Sequence, residues 1–97
     1  MKVVKLSHPN YEYDVHSLVK AFYAEDQVTV ITPETKPEKL AELEPQVSLE
    51  IELGETGAKI RLGEDTFLWD AETETIADGY KNGLKRFLYR TLSKVTG

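Results

Sequence analysis

Two apolar alternations separated by a glycine-bounded turn constrain this chain more than any other feature. From Val47 to Leu53 the odd positions Val47, Leu49, Ile51 and Leu53 are apolar, and Ser48, Glu50 and Glu52 between them are polar. After Gly54-Glu55-Thr56-Gly57, residues Ala58, Ile60 and Leu62 alternate with Lys59 and Arg61. Period-two patterning of this kind predicts a hairpin with one dry and one wet face. Setting Leu53 opposite Ala58 places Ile51 against Ile60 on the dry face. It also sets Glu52 against Lys59 and Glu50 against Arg61 on the wet one. A slip of one residue would carry charges into the core, so the register is specified twice over. Gly63-Glu64 turns the chain again, and Thr66 to Ala71 returns as a third strand. Phe67, Trp69 and Ala71 should join the dry face, with Leu68 on the other side.

A second periodicity closes the sequence. Leu84, Phe87, Leu88, Thr91, Leu92 and Val95, preceded by Tyr80, form one helical stripe, and Lys81, Lys85, Arg86, Arg90 and Lys94 occupy the rest of the circumference. Asp78 is the expected cap. Gly79 and Gly83 weaken the first turns, so firm helix is expected from about Leu84.

The first third reads as strand, helix, strand. Lys2 to Leu6 is a short strand broken by Ser7-His8-Pro9-Asn10, where Pro9 restricts its predecessor and Asn10 can cap a helix. Tyr11, Val15, Leu18, Val19 and Phe22 give an amphipathic helix ending near Ala24. Gln27 to Thr32 is β-branched with little alternation, which predicts a central, covered strand. Pro33 to Pro45, with three prolines and only Leu40, Ala41 and Leu43 as anchors, predicts a surface crossover with at most one helical turn around Glu38 to Leu43. These pieces give one α+β domain over residues 1–97, with order β-α-β-β-β-β-α. The expected architecture is a two-layer sandwich with two helices on one face of a mixed, mostly antiparallel sheet of about five strands.

Composition narrows the chemistry. The sequence has no cysteine. That excludes disulfides, a thiol nucleophile and any cysteine-held zinc or iron–sulfur site within these 97 residues. No run approaches the length of a membrane span or of a signal peptide's apolar segment, which makes the cytoplasm the default location. His8, before a proline, reads as a turn residue. His16 lies one helical turn after Glu12 and reads as a surface pair rather than a catalytic one. Asp65, Asp70, Glu72, Glu74 and Asp78 lack calcium-loop spacing, and Gly54 to Gly57 has no P-loop lysine. The serines at 7, 17, 48 and 93 have no neighbouring base in sequence. No residue is assigned to catalysis, cofactor or metal.

Charge is distributed unevenly. Residues 1–80 carry −10 and residues 81–97 carry +5, within a net charge of −5. A basic helix suggests an RNA-binding module, but the acidic body opposes a polyanion and basic residues suit a helix C-terminal half. Tyr89 stands off the apolar arc among Arg86, Arg90 and Ser93. Lys85, Arg86, Tyr89 and Arg90 are therefore the candidate residues for contact with another domain.

The closing run KNGLKRFLYRTLSKVTG, with the upstream strand, helix, VTVITPE, charged hairpin and third strand, resembles the N-terminal region of bacterial oxygen-independent coproporphyrinogen III oxidase-like proteins. In that branch such a domain precedes a radical S-adenosylmethionine (SAM) domain. The likeness covers nearly the whole chain and is most specific from Asn82 to Gly97. It implies an accessory N-terminal piece of a cytoplasmic, porphyrin-biosynthesis type oxidoreductase, its partner being the downstream catalytic domain. The family's C-x-x-x-C-x-x-C motif is absent here. The [4Fe–4S] cluster and SAM that the resemblance implies would thus belong to the following domain.

Overall fold

The computed structural model describes residues 2–23, 27–70 and 79–96. Along the chain run β1 (Lys2–Leu6), α1 (Glu12–Tyr23), β2 (Val28–Ile31), α2 (Pro37–Leu43), β3 (Val47–Leu53), β4 (Gly57–Leu62), β5 (Asp65–Asp70) and α3 (Gly79–Thr96). This is the expected α+β order with one short helix added. The five strands form one mixed sheet in the order β2-β1-β3-β4-β5. β1 is parallel to both β2 and β3, whereas β3–β4 and β4–β5 are antiparallel.

The hairpin adopts the register its alternation dictates: Leu53↔Ala58, Glu52↔Lys59, Ile51↔Ile60 and Glu50↔Arg61. On the wet face Lys59 Nζ lies 3.4 Å from Glu52 and Arg61 3.7 Å from Glu50. β5 follows suit, with Phe67 beside Ile60 and Trp69 beside Ala58. Leu68 falls on the open face and is 76% exposed. Ala71 and the Asp78 cap lie outside the described residues.

Two of three differences from the sequence expectations share one cause. β2 is an edge strand, not a central one. It is β-branched because both its faces are covered. Val28 joins the main core with Val15 and Val19 of α1, while Ile31 joins Val3 and Leu43 on the opposite face. From β1 to β2 the chain steps one way across the sheet, and from β2 to β3 it steps back past β1. Crossovers of the same hand must then traverse opposite faces. So α1 and α2 lie on opposite sides, and α2 thickens one end of the two-layer sandwich. Pro37 opens α2 at the position where a missing N–H costs nothing, and Leu40 and Leu43 form its apolar edge. The crossover is therefore a seven-residue helix rather than a single turn.

The third difference is at Val47. Val3 pairs with Val47 but Val4 pairs with Leu49, so Ser48 is bulged out of the ladder. The bulge lets Val47 pack in the small second cluster while Leu49 and Ile51 stay in the main one. One strand thus serves two cores.

α3 is helical from Gly79 onward, earlier than expected, and buries Gly83, Leu84, Phe87, Leu88, Thr91 and Leu92. Val95, at 41% exposure, lies beyond the end of the buried stripe. α1 ends at Tyr23, and Ala24 falls outside the described residues. The helix-capping role foreseen for Asn10 is not the contact observed: its backbone N–H donates to His8 Nδ1 at 3.2 Å.

Candidate functional site: the groove between α1 and α3

α1 and α3 lie side by side on the main core, held by Val15 and Val19 against Leu84, Leu88 and Leu92. Their outer surfaces leave a shallow groove of about 390 Å³ lined by Leu18, Lys85, Arg86, Tyr89 and Arg90. All four residues singled out from α3 border it. Leu18 of α1 completes it, which no local pattern in α3 announces. Tyr89 remains 59% exposed, and its ring meets Phe22 edge-on at 5.2 Å. The floor is therefore apolar and partly aromatic, and the rim is cationic.

The rim charges are already balanced in part. Asp14, near the start of α1, receives Lys81 at 3.7 Å and Lys85 at 3.8 Å. Arg86 and Arg90 also have interactions of their own. The groove thus presents aromatic and aliphatic surface with a cationic rim around it.

The histidines are kept apart. His8 follows the C-terminal end of β1, whereas His16 Nε2 donates to Val28 O at 2.8 Å, level with the opposite end of β1. His16 thus clips α1 to β2 and does not form the surface pair expected with Glu12. Of the five clustered acids, Asp65 and Asp70 sit at opposite ends of β5, and Glu72, Glu74 and Asp78 lie outside the described residues. Among the described residues no group of three or more His, Asp or Glu is placed to hold a metal ion.

One convergence has no signal in the local sequence. At the C-terminal ends of β1 and β3, His8, Asn10, Tyr11, Leu53, Gly54, Glu55 and Tyr80 surround a crevice of about 510 Å³. The crevice opens beyond the carboxyl ends of two parallel strands, β1 and β3. Tyr11 takes a left-handed φ of 66°, uncommon for a bulky residue. Tyr80 Oη donates to Gly57 O at 2.8 Å. Burial, with the Tyr11 phenol nearby, pushes the Tyr80 phenol above its ordinary value, and the backbone at Gly54 offsets part of that. The lining holds an imidazole, an amide, a carboxylate and two phenols, but no serine or lysine that the imidazole might activate.

No protein family matches the chain, and neither does any curated protein or solved structure. Among the described residues, no helix is long and apolar enough to cross a membrane.

Proposed function

We propose that this chain is a non-catalytic accessory domain that docks on a neighbouring domain through the α1–α3 groove. In the reading that its resemblance suggests, the neighbour is the radical SAM domain of a cytoplasmic coproporphyrinogen III oxidase-like oxidoreductase. The [4Fe–4S] cluster and SAM are then held by that domain, and this one packs on it or modulates it. The observation carrying the proposal is Tyr89, an exposed aromatic ring over an apolar floor, ringed by Lys85, Arg86 and Arg90. Exposed aromatics beside arginines are the residue types that dominate protein contacts.

Charge reversal at Arg86 and Arg90 with Tyr89→Ala tests it. The isolated chain should stay folded, losing about 0.5–1.5 kcal/mol with the Tyr89–Phe22 ring contact, because these side chains lie outside the buried core. In the protein carrying the next domain, activity or thermal stability should fall. Unchanged activity and stability there would refute the assignment.

The +5 charge of residues 81–97 favours one second reading, an RNA-binding module. It requires an affinity for RNA that drops steeply with salt. No binding at low salt removes it.

A further inference from the structure

The sheet has two margins, and they differ. β2 is four residues long and stops two positions before Pro33. β5 is six residues long and pairs with β4 without interruption along its whole length. It contains no proline, lysine or arginine and no bulge, the usual devices that keep an edge from pairing. Its aspartates stand only at the two ends.

The hydrogen-bond phase of β5 follows from the turns. Gly63 has φ of 60°, as the first central residue of a two-residue type II′ hairpin requires, so the closing pair Leu62↔Asp65 is a hydrogen-bonded one. The alternation then makes Ile60↔Phe67 and Ala58↔Trp69 hydrogen-bonded pairs as well. The other hairpin agrees independently. Gly54 N–H donates to Gly57 O at 2.9 Å, which directs Gly57, Lys59 and Arg61 toward β3 and leaves Ala58, Ile60 and Leu62 for β5. Thr66 and Leu68 therefore point their amide and carbonyl groups outward, along the sheet margin.

Two further features lie on that margin. Leu68, 76% exposed, stands on the open face. On the helix face, β5 and the C-terminal half of α3 border a cavity of about 580 Å³ lined by Phe67, Trp69, Phe87, Thr91 and Lys94 among others.

We infer that β5 is a homodimerisation edge, pairing antiparallel with β5 of a second copy to make one continuous ten-stranded sheet of twice five strands. The sequence of β5 is self-complementary in one register. Side chains directly opposite each other must point to the same face, so only residues of like parity can pair across the two-fold axis. Centring the axis on Leu68 sets Leu68 against its twin on the open face and Phe67 against Trp69 of the second copy on the helix face. It also joins the outward Leu68 amide and carbonyl to their twins. The aromatic pair closes the mouth of the cavity beside α3. A second copy suits this edge because the apolar positions of DTFLWD answer each other, whereas its terminal acids limit the pairing to the middle of the strand. That confines the contact to a small area and makes the dimer concentration-dependent.

The 97-residue chain tests this directly, because it has no native thiol. Its mass in sedimentation equilibrium should rise from 11.0 kDa toward twice that value as concentration increases. Leu68→Lys should abolish the rise while leaving circular dichroism and melting temperature unchanged. Leu68→Cys should form an intermolecular disulfide at least about tenfold faster than Glu64→Cys in the adjacent turn, since only position 68 meets itself. The Leu68 amide should gain hydrogen-exchange protection with concentration, whereas those of Phe67 and Trp69 are bonded to β4 already. A mass fixed at 11.0 kDa, a Leu68→Lys dimer, equal crosslinking rates or concentration-independent exchange would each overturn the proposal.

Discussion

A methyl group on Gly83 would lie 2.5 Å from Cζ2 and 2.9 Å from Cη2 of Trp69. The indole has little room to yield: it is 7% exposed and packed between Tyr80 at 5.2 Å and Phe87 at 6.1 Å. In an exposed helix, Gly→Ala gains about 1 kcal/mol. Overpacking a filled core costs about 1–3 kcal/mol. Gly83→Ala should therefore be net destabilising, by up to about 2 kcal/mol, in urea unfolding followed by the fluorescence of the sole tryptophan. A stabilised variant would mean that the indole gives way. Trp69 carries a second tension, since its Nε1 finds no hydrogen-bond partner among the described residues. Tyr80 supplies a pH dependence. Its phenol is raised mainly by burial, so the folded state favours the neutral form. That contribution is complete below the ordinary value of 10.0 and is lost as pH rises through the folded-state value. Tyr23 is raised by burial in the same sense. Tyr80→Phe should flatten, without abolishing, the loss of stability above about pH 10 in alkaline denaturant titrations.

At the scale of elements, α2 and the Ser48 bulge create a satellite core of Val3, Ile31 and Leu43, flanked by Leu40 and Val47. Leu43 is 5% exposed and is the one buried side chain of α2. Leu43→Ala should cost about 2–3 kcal/mol and release the amides of α2 to exchange ahead of the main core. Native-state hydrogen exchange would register both effects, and loss of protection across α1 and α3 instead would contradict the separation of the clusters. The hairpin was legible because one of its faces is wet and the other dry, so two patterns fixed one register. β2 misleads because an edge strand covered on both faces has the composition of a central one. α2 is muted in the sequence because prolines and acids outnumber its two leucine anchors, although the hand of successive crossovers demands an element on that face. The groove residues Lys85, Arg86, Tyr89 and Arg90 could be found from α3 alone, as the positions its buried stripe leaves over. Leu18 and Phe22, their counterparts on α1, depend on how two distant helices align. The crevice at His8 joins Tyr11 to Tyr80, and no local period reports such a meeting.

Across the whole molecule, the basic α3 lies against a body of opposite charge, and Asp14 joins the two through Lys81 and Lys85. Pairs this exposed contribute about 0–1 kcal/mol each. Apolar packing of Val15 and Val19 against Leu84 and Leu88 therefore holds the helices together, and the charges set their alignment. The strand order β2-β1-β3-β4-β5 has a last consequence. Molecules that associate margin to margin polymerise without limit when both margins are receptive. Here one is long and plain, and the other is a four-residue stub halted near a proline. Association of the β5 margins about a two-fold axis would consume that side of both participants, so growth through it would terminate at a pair.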